Sequence, residues 1–75
     1  MKRGICLVKI KQGTITLGQL LKKINVIGSG AEAKDYLARN IVLVNGEQEA
    51  RRGRKLVAHD KITIEGSVVE LEYED

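Results

Sequence analysis

SGAEAKDYLARNIVLVNGEQEARRGRK, residues 29–55, is the stretch whose reading decides the fold. Ser29 with Glu32 three positions on has the form of a capping box, in which side chain and backbone satisfy each other's unpaired groups at a helix start. Ala31, Ala33, Tyr36 and Leu37 then place small residues where a second helix can approach closely. Asn40 sits where a residue of positive φ would end the helix, a conformation asparagine adopts at low cost. Ile41 to Val44 reads as a strand, and Asn45-Gly46 is a strong hairpin signal because both residues accept positive φ. Glu47 to Ala50 can pair back only briefly before Arg51-Arg52-Gly53-Arg54-Lys55, a loop with four cations in five residues.

Outward from this stretch the chain continues the same grammar. Before it, Ile5 to Lys11 alternates as a strand, with Cys6, Val8 and Ile10 opposite Leu7, Lys9 and Lys11. Gln12-Gly13-Thr14 punctuates that strand. Thr16 with Gln19 forms a capping box for a first helix, whose Leu17, Leu20, Leu21 and Ile24 make one apolar stripe. Lys22 and Lys23 lie off the stripe. Gly18 weakens the first turn by about 1 kcal/mol relative to alanine, so this helix depends on tertiary packing. Asn25 is its expected terminator. After the basic loop, Leu56 and Val57 are expected to anchor it to the core. Ala58 to Lys61 reads as a turn, with His59 a turn residue and Asp60 closing it. Ile62 to Ile64 is a strand, Glu65-Gly66-Ser67 a turn, and Val68 to Tyr73 a last strand before an end expected to fray at Glu74-Asp75. The order of one strand, two helices and a run of short strands predicts an α+β domain.

Composition narrows the function. Seventy-five residues make one domain, here residues 1–75, close to the size at which a single core just suffices. Cys6 is the only cysteine, so no disulfide framework exists, and it reads as a small buried hydrophobe in a reducing compartment. The apolar run near the start ends at Val8, too short for a signal peptide or membrane span, which predicts a cytoplasmic protein without a membrane partner. The net charge of +3 hides an asymmetry: residues 1–55 carry +8 and residues 56–75 carry −5. A basic body joined to an acidic end points to a polyanion partner. The competing explanation is pairing of a basic strand with an acidic one inside the molecule.

Catalytic chemistry finds no support. One cysteine and one histidine, His59, have no spacing that assembles a nucleophile–base pair, and no cluster has metal-ligand spacing. Gly28-x-Gly30 before a helix lacks the rest of either nucleotide-binding fingerprint. No catalytic residue, metal, cofactor or small-molecule substrate is therefore expected. Phe and Trp are absent and Tyr36 and Tyr73 have structural roles, so reading of single strands by base stacking is disfavoured. Recognition of folded RNA through shape and backbone fits better. A protein-interaction adaptor that docks an acidic partner is the alternative.

Ser29, Ala33, Lys34, Val42, Val44, Asn45, Gly46 and Asp60, with the basic loop after them, resemble the S4-type RNA-binding domain, or αL motif. The resemblance covers about Ile15 to Ile64, and length and loop are similar to small stand-alone bacterial S4-domain proteins of the YaaA/YbcJ type. It implies two packed short helices against a small, mainly antiparallel sheet, and contact with structured RNA, ribosomal or otherwise translation-related. The implied contact residues are Ser29, Lys34, Arg51, Arg52, Arg54 and Lys55, with Lys22, Lys23 and Arg39 peripheral. The chain departs from the family pattern at Thr16, Gly30, Asn40 and His59. The first two positions often carry arginine in relatives, which shifts the expected weight onto Lys34 and the loop. The N–H groups of Ser29-Gly30-Ala31 are expected to receive a phosphate beside Lys34.

Overall fold

Alternating burial along the strands builds one sheet, and turn residues of positive φ join its members. The structure, a computed structural model, describes residues 5–11 and 13–74. The elements are β1 (Ile5–Ile10), β2 (Ile15–Thr16), α1 (Leu17–Lys23), α2 (Ala33–Arg39), β3 (Val42–Val44), β4 (Glu47–Gln48), β5 (Lys55–Leu56), β6 (Lys61–Ile64) and β7 (Ser67–Tyr73). Five strands form a sheet in the order β1-β7-β6-β3-β4, and β2 pairs separately with β5. All pairings are antiparallel except β1 with β7, which run parallel from Ile5↔Val68 to Ile10↔Tyr73. The α+β class, with two short helices and a mainly antiparallel sheet, is as expected.

The inward side chains Val8, Ile10, Val42, Val44, Ile62, Ile64, Val69 and Leu71 form one core with Leu17, Leu20, Leu21, Ala33 and Leu37 of the helices and with Leu56 after the basic loop. A seven-residue helix is marginal alone, so this shared burial is what holds each helix in place. Leu56 does anchor the loop, but Val57 is 41% exposed, because the chain turns there toward Asp60 rather than continuing into the core. Cys6 is also exposed, contrary to expectation. It pairs in register with Val69 on the edge strand and lies outside the buried cluster that holds Val8 and Ile10.

Turns follow the residues that tolerate positive φ. Asn45 and Gly46 (φ 52° and 88°) and Glu65 and Gly66 (φ 51° and 84°) each make the tight two-residue hairpin turn whose twist matches that of strands. Asn45 is further fixed by its side chain, which accepts from Lys61 N–H at 3.0 Å and donates to Asp60 Oδ1 at 3.1 Å. Asp60 closes its own turn by accepting from Val57 N–H at 3.0 Å. Helix α1 starts with the expected box: Gln19 N–H donates to Thr16 Oγ1 at 3.2 Å, and Thr16 N–H to Gln19 Oε1 at 2.9 Å. It stops at Asn25 (φ 63°), where Val26 N–H reaches back to Leu21 O at 2.9 Å and Asn25 N–H to Lys22 O at 3.0 Å.

The second helix departs from expectation at both ends. Ser29 makes no side-chain cap, because a 3-10 turn over Gly30–Glu32 comes before α2 and Glu32 reaches back to Gly28 N–H at 3.3 Å. Asn40 is extended (φ −128°, ψ 148°) rather than left-handed, since the chain enters β3 almost at once; its Nδ2 donates to Tyr36 O at 3.0 Å. Glu74 does not fray: its N–H donates to Ile10 O at 2.7 Å. Gln12 of the first expected turn, and Asp75, lie outside the described residues.

Gly18 is the point where the helices meet the basic loop. A Cβ there would lie 3.4 Å from Ala33 Cβ, Arg52 Cβ and Arg52 O, and Gly18 N–H donates to Arg52 O at 2.9 Å. The site therefore has room for a methyl group and for little more. Gly18→Ala is expected to fold with near-native stability, the helix-propensity gain of about 1 kcal/mol offsetting a tight contact. Gly18→Leu is expected to lose about 1–3 kcal/mol through overpacking, read as a lower urea midpoint.

Candidate nucleic-acid interface

The basic loop is held from two sides. On one, the first-turn N–H groups of α1, which have no partner within the helix, donate to loop carbonyls: Leu17 to Arg54 O at 2.8 Å and Gly18 to Arg52 O at 2.9 Å. The pairing of Thr16 with Lys55 and of Ile15 with Leu56 continues this contact.

On the other side stands Glu49, whose side chain is only 8% exposed. Its Oε2 accepts from the N–H groups of Ala50 (3.1 Å) and Arg51 (3.0 Å) and from Arg51 Nε (3.0 Å). Its Oε1 accepts from Arg51 Nη2 at 3.2 Å and Arg54 Nη1 at 2.8 Å. Glu49 N–H itself donates to Val42 O at 2.9 Å, which ties the start of the loop to the sheet. Hydrogen bonds from the Arg51 side chain, then from the Arg51 backbone and the Arg54 side chain, hold the carboxyl at about 2, below its ordinary 4.5. Glu49 carried no sequence signal as a partner. Only its spacing, two and five residues before arginines, could have pointed to it.

The expected contact residues therefore fall into groups. Arg51 and Arg54 are engaged by Glu49, with side chains 76% and 36% exposed, and keep donors turned to solvent. Arg52 and Lys55 are exposed on the same loop and form no ion pair among the described residues. Lys34 is exposed at the start of α2, directly after Ala33, which with Arg52 borders the space beside Gly18. Ser29 is exposed, but the carboxylate of Glu32 is bound to the N–H of its neighbour Gly28. That acid makes the turn a poor receptor for a phosphate.

The peripheral candidates lie elsewhere. Lys22 and Lys23, on the last turn of α1, line a cleft of about 530 Å³ with Lys11, Ile10, Thr14, Ile15 and Gln19. Arg39, on the last turn of α2, pairs with Asp35 at 3.3 Å. The two tyrosines are tied: Tyr36 donates its hydroxyl to Glu65 at 2.6 Å and Tyr73 lies 3.5 Å from Gly13 O. Burial, then the Glu65 hydrogen bond and charge, push the Tyr36 hydroxyl well above its usual range. Among the described residues no three His, Cys, Asp or Glu side chains converge to hold a metal, and no helix is long and apolar enough to cross a membrane.

Fold and loop together define a small α+β domain whose cationic loop is docked on the first of two short helices. The chain belongs to the S4 domain family, whose sequence model matches residues 8–72. A curated protein of Bacillus subtilis (strain 168), described as "Probable ribosome maturation protein RlbA", is 51% identical over 59 residues, which cover 79% of this chain and 83% of that protein.

The Glu49 site sets a pH dependence. The unfolded chain takes up a proton here near 4.5 and the folded chain only near 2, so the contribution of Glu49 to stability is complete above 4.5 and is lost as pH falls toward 2. The difference in urea midpoint between the native protein and Glu49→Gln is expected to be constant from neutral pH to about pH 5 and to narrow below it.

Proposed function

We propose that this protein binds structured RNA, with ribosomal RNA the expected class, as a non-catalytic module of ribosome maturation in the cytoplasm. The observation that carries this reading is the pinned loop: Arg52 and Lys55 project, without acidic partners among the described residues, from a backbone held by α1 and by Glu49. A guanidinium on a fixed backbone can form two parallel hydrogen bonds to a phosphate. Lys34 extends the same face, and the outward donors of Arg51 and Arg54 add to it. Lys22 and Lys23 with Lys11 offer a second basic patch at the other end of α1. Arg39 has the least weight, being matched by Asp35.

Family membership and the printed name of the Bacillus relative support an RNA-directed role. Both tyrosine hydroxyls are engaged within the fold, which favours recognition of backbone and shape over stacking of unpaired bases.

Titration of a structured ribosomal RNA fragment at two salt concentrations tests the reading. Arg52→Glu combined with Lys55→Glu is expected to weaken binding at least about tenfold and to flatten the log–log salt slope by about 1.4–1.8, two contacts' worth, with thermal stability retained. Lys34→Ala should flatten it by about one contact's worth. Unchanged RNA affinity in the double variant would sink the proposal. Retention of an acidic polypeptide in place of RNA would return the adaptor reading.

A further inference from the structure

Glu49 sets a puzzle for a basic surface: a buried carboxylate stands beneath the loop that supplies its cations. We infer that Glu49 is a positioning residue that holds the loop in its binding shape, so that removing this negative charge weakens polyanion binding. The inference rests on the RNA-binding reading above.

Two effects of opposite sign meet at this residue. Electrostatically, loss of an acid beside four cations should strengthen attraction to phosphate and free two guanidinium groups. That gain is modest, because charges near solvent are screened by water and salt. Structurally, Glu49 accepts five hydrogen bonds, and they span the loop from the N–H of Ala50 to the side chain of Arg54. Without them, the segment keeps the α1 contacts at Arg52 O and Arg54 O, the β2–β5 pairing and the Arg54 N–H to Arg51 O bond at 3.2 Å, and nothing fixes its sheet-side half at Ala50 and Arg51 from below. No buried apolar side chain lies between Glu49 and Leu56, and Gly53 has open space around it. A loop released on this side would have to be ordered at the moment of binding, and the entropy of ordering would fall on the affinity.

Geometry favours the same sign. Arg51 commits Nε and Nη2 to the carboxylate, which fixes its guanidinium plane, and Arg54 is tethered through Nη1, while both side chains keep exposed surface at 76% and 36%. Glutamine could replace the acceptor at one oxygen, but its NH2 group would face an arginine donor. Glu47, two residues earlier on β4, is exposed and forms no ion pair among the described residues. It provides a matched control for charge without position.

The experiment compares Glu49→Gln, Glu49→Asp and Glu47→Gln with the native protein, all shown to be folded by circular dichroism. Affinity for a structured ribosomal RNA fragment is measured alongside amide hydrogen exchange of residues 50–54 in the free protein. Glu49→Gln is expected to bind about tenfold more weakly and to exchange faster at these amides. Glu49→Asp, which keeps the charge and an acceptor, should recover part of both, and Glu47→Gln should bind within about twofold of native. Equal or tighter RNA binding by Glu49→Gln, with the native protein binding, overturns this inference alone. Absence of RNA binding by the native protein overturns the RNA reading and this inference with it.

Discussion

A helix begins with N–H groups that its own hydrogen bonding cannot reach, and in this fold those of α1 organise the basic loop. Thr16 and Gln19 satisfy each other, and the next two donors, Leu17 and Gly18, go to carbonyls of the basic loop. The partial positive charge of the helix start meets carbonyl oxygen, and the arrangement turns loop carbonyls inward. One set of bonds thereby joins the helix, the β2–β5 pair and the loop, which is why a large side chain at position 18 has no room. The same set occupies donors that would otherwise be open to an anion, so the groups this face leaves for an anion are side chains.

The charge distribution becomes intelligible once the partners are known. Three of the six acids after Lys55 are employed in the scaffold: Asp60 closes its turn and holds Asn45, Glu65 takes the Tyr36 hydroxyl, and Glu72 pairs with Lys9 across the parallel strands at 2.8 Å. The idea of a basic strand matched to an acidic one therefore holds at Lys9 and Glu72. It does not extend to the loop, where the partner is Glu49 from the basic part of the chain itself.

Local signals in the sequence were readable where a few adjacent residues settle the conformation. The Thr16 box, the stop at Asn25 and the Asn45-Gly46 turn are of this kind, and they frame the helix and hairpin that carry the loop. What escaped reading depends on distant partners. Parallel pairing of β1 with β7 leaves no turn between the strands to announce it, and β2 and β5 have two residues each, too few for alternation. Ser29 has a capping composition, yet the intervening 3-10 turn directs Glu32 to Gly28 instead. Cys6 and Val57 are apolar at positions the helices do not cover. In the site, the cations were visible as a run, whereas the buried carboxylate that orders two of them looked like any other acid.

The parallel pairing of first and last strands also sets the order in which the molecule can be completed. β1 precedes β7 in the chain, β7 is its one neighbour in the sheet among the described residues, and Lys9 and Glu72, which pair across them, stand 63 positions apart. Helices and the β3–β4 hairpin can form from nearby residues, while the edge strand must wait for β7. Closing so long a loop is the entropically expensive step of folding, and contacts of this separation form slowly. During synthesis the segment around Leu7 and Val8 stays without its strand partner until β7 has left the ribosome. Completion of the sheet is thus coupled to the synthesis of β7.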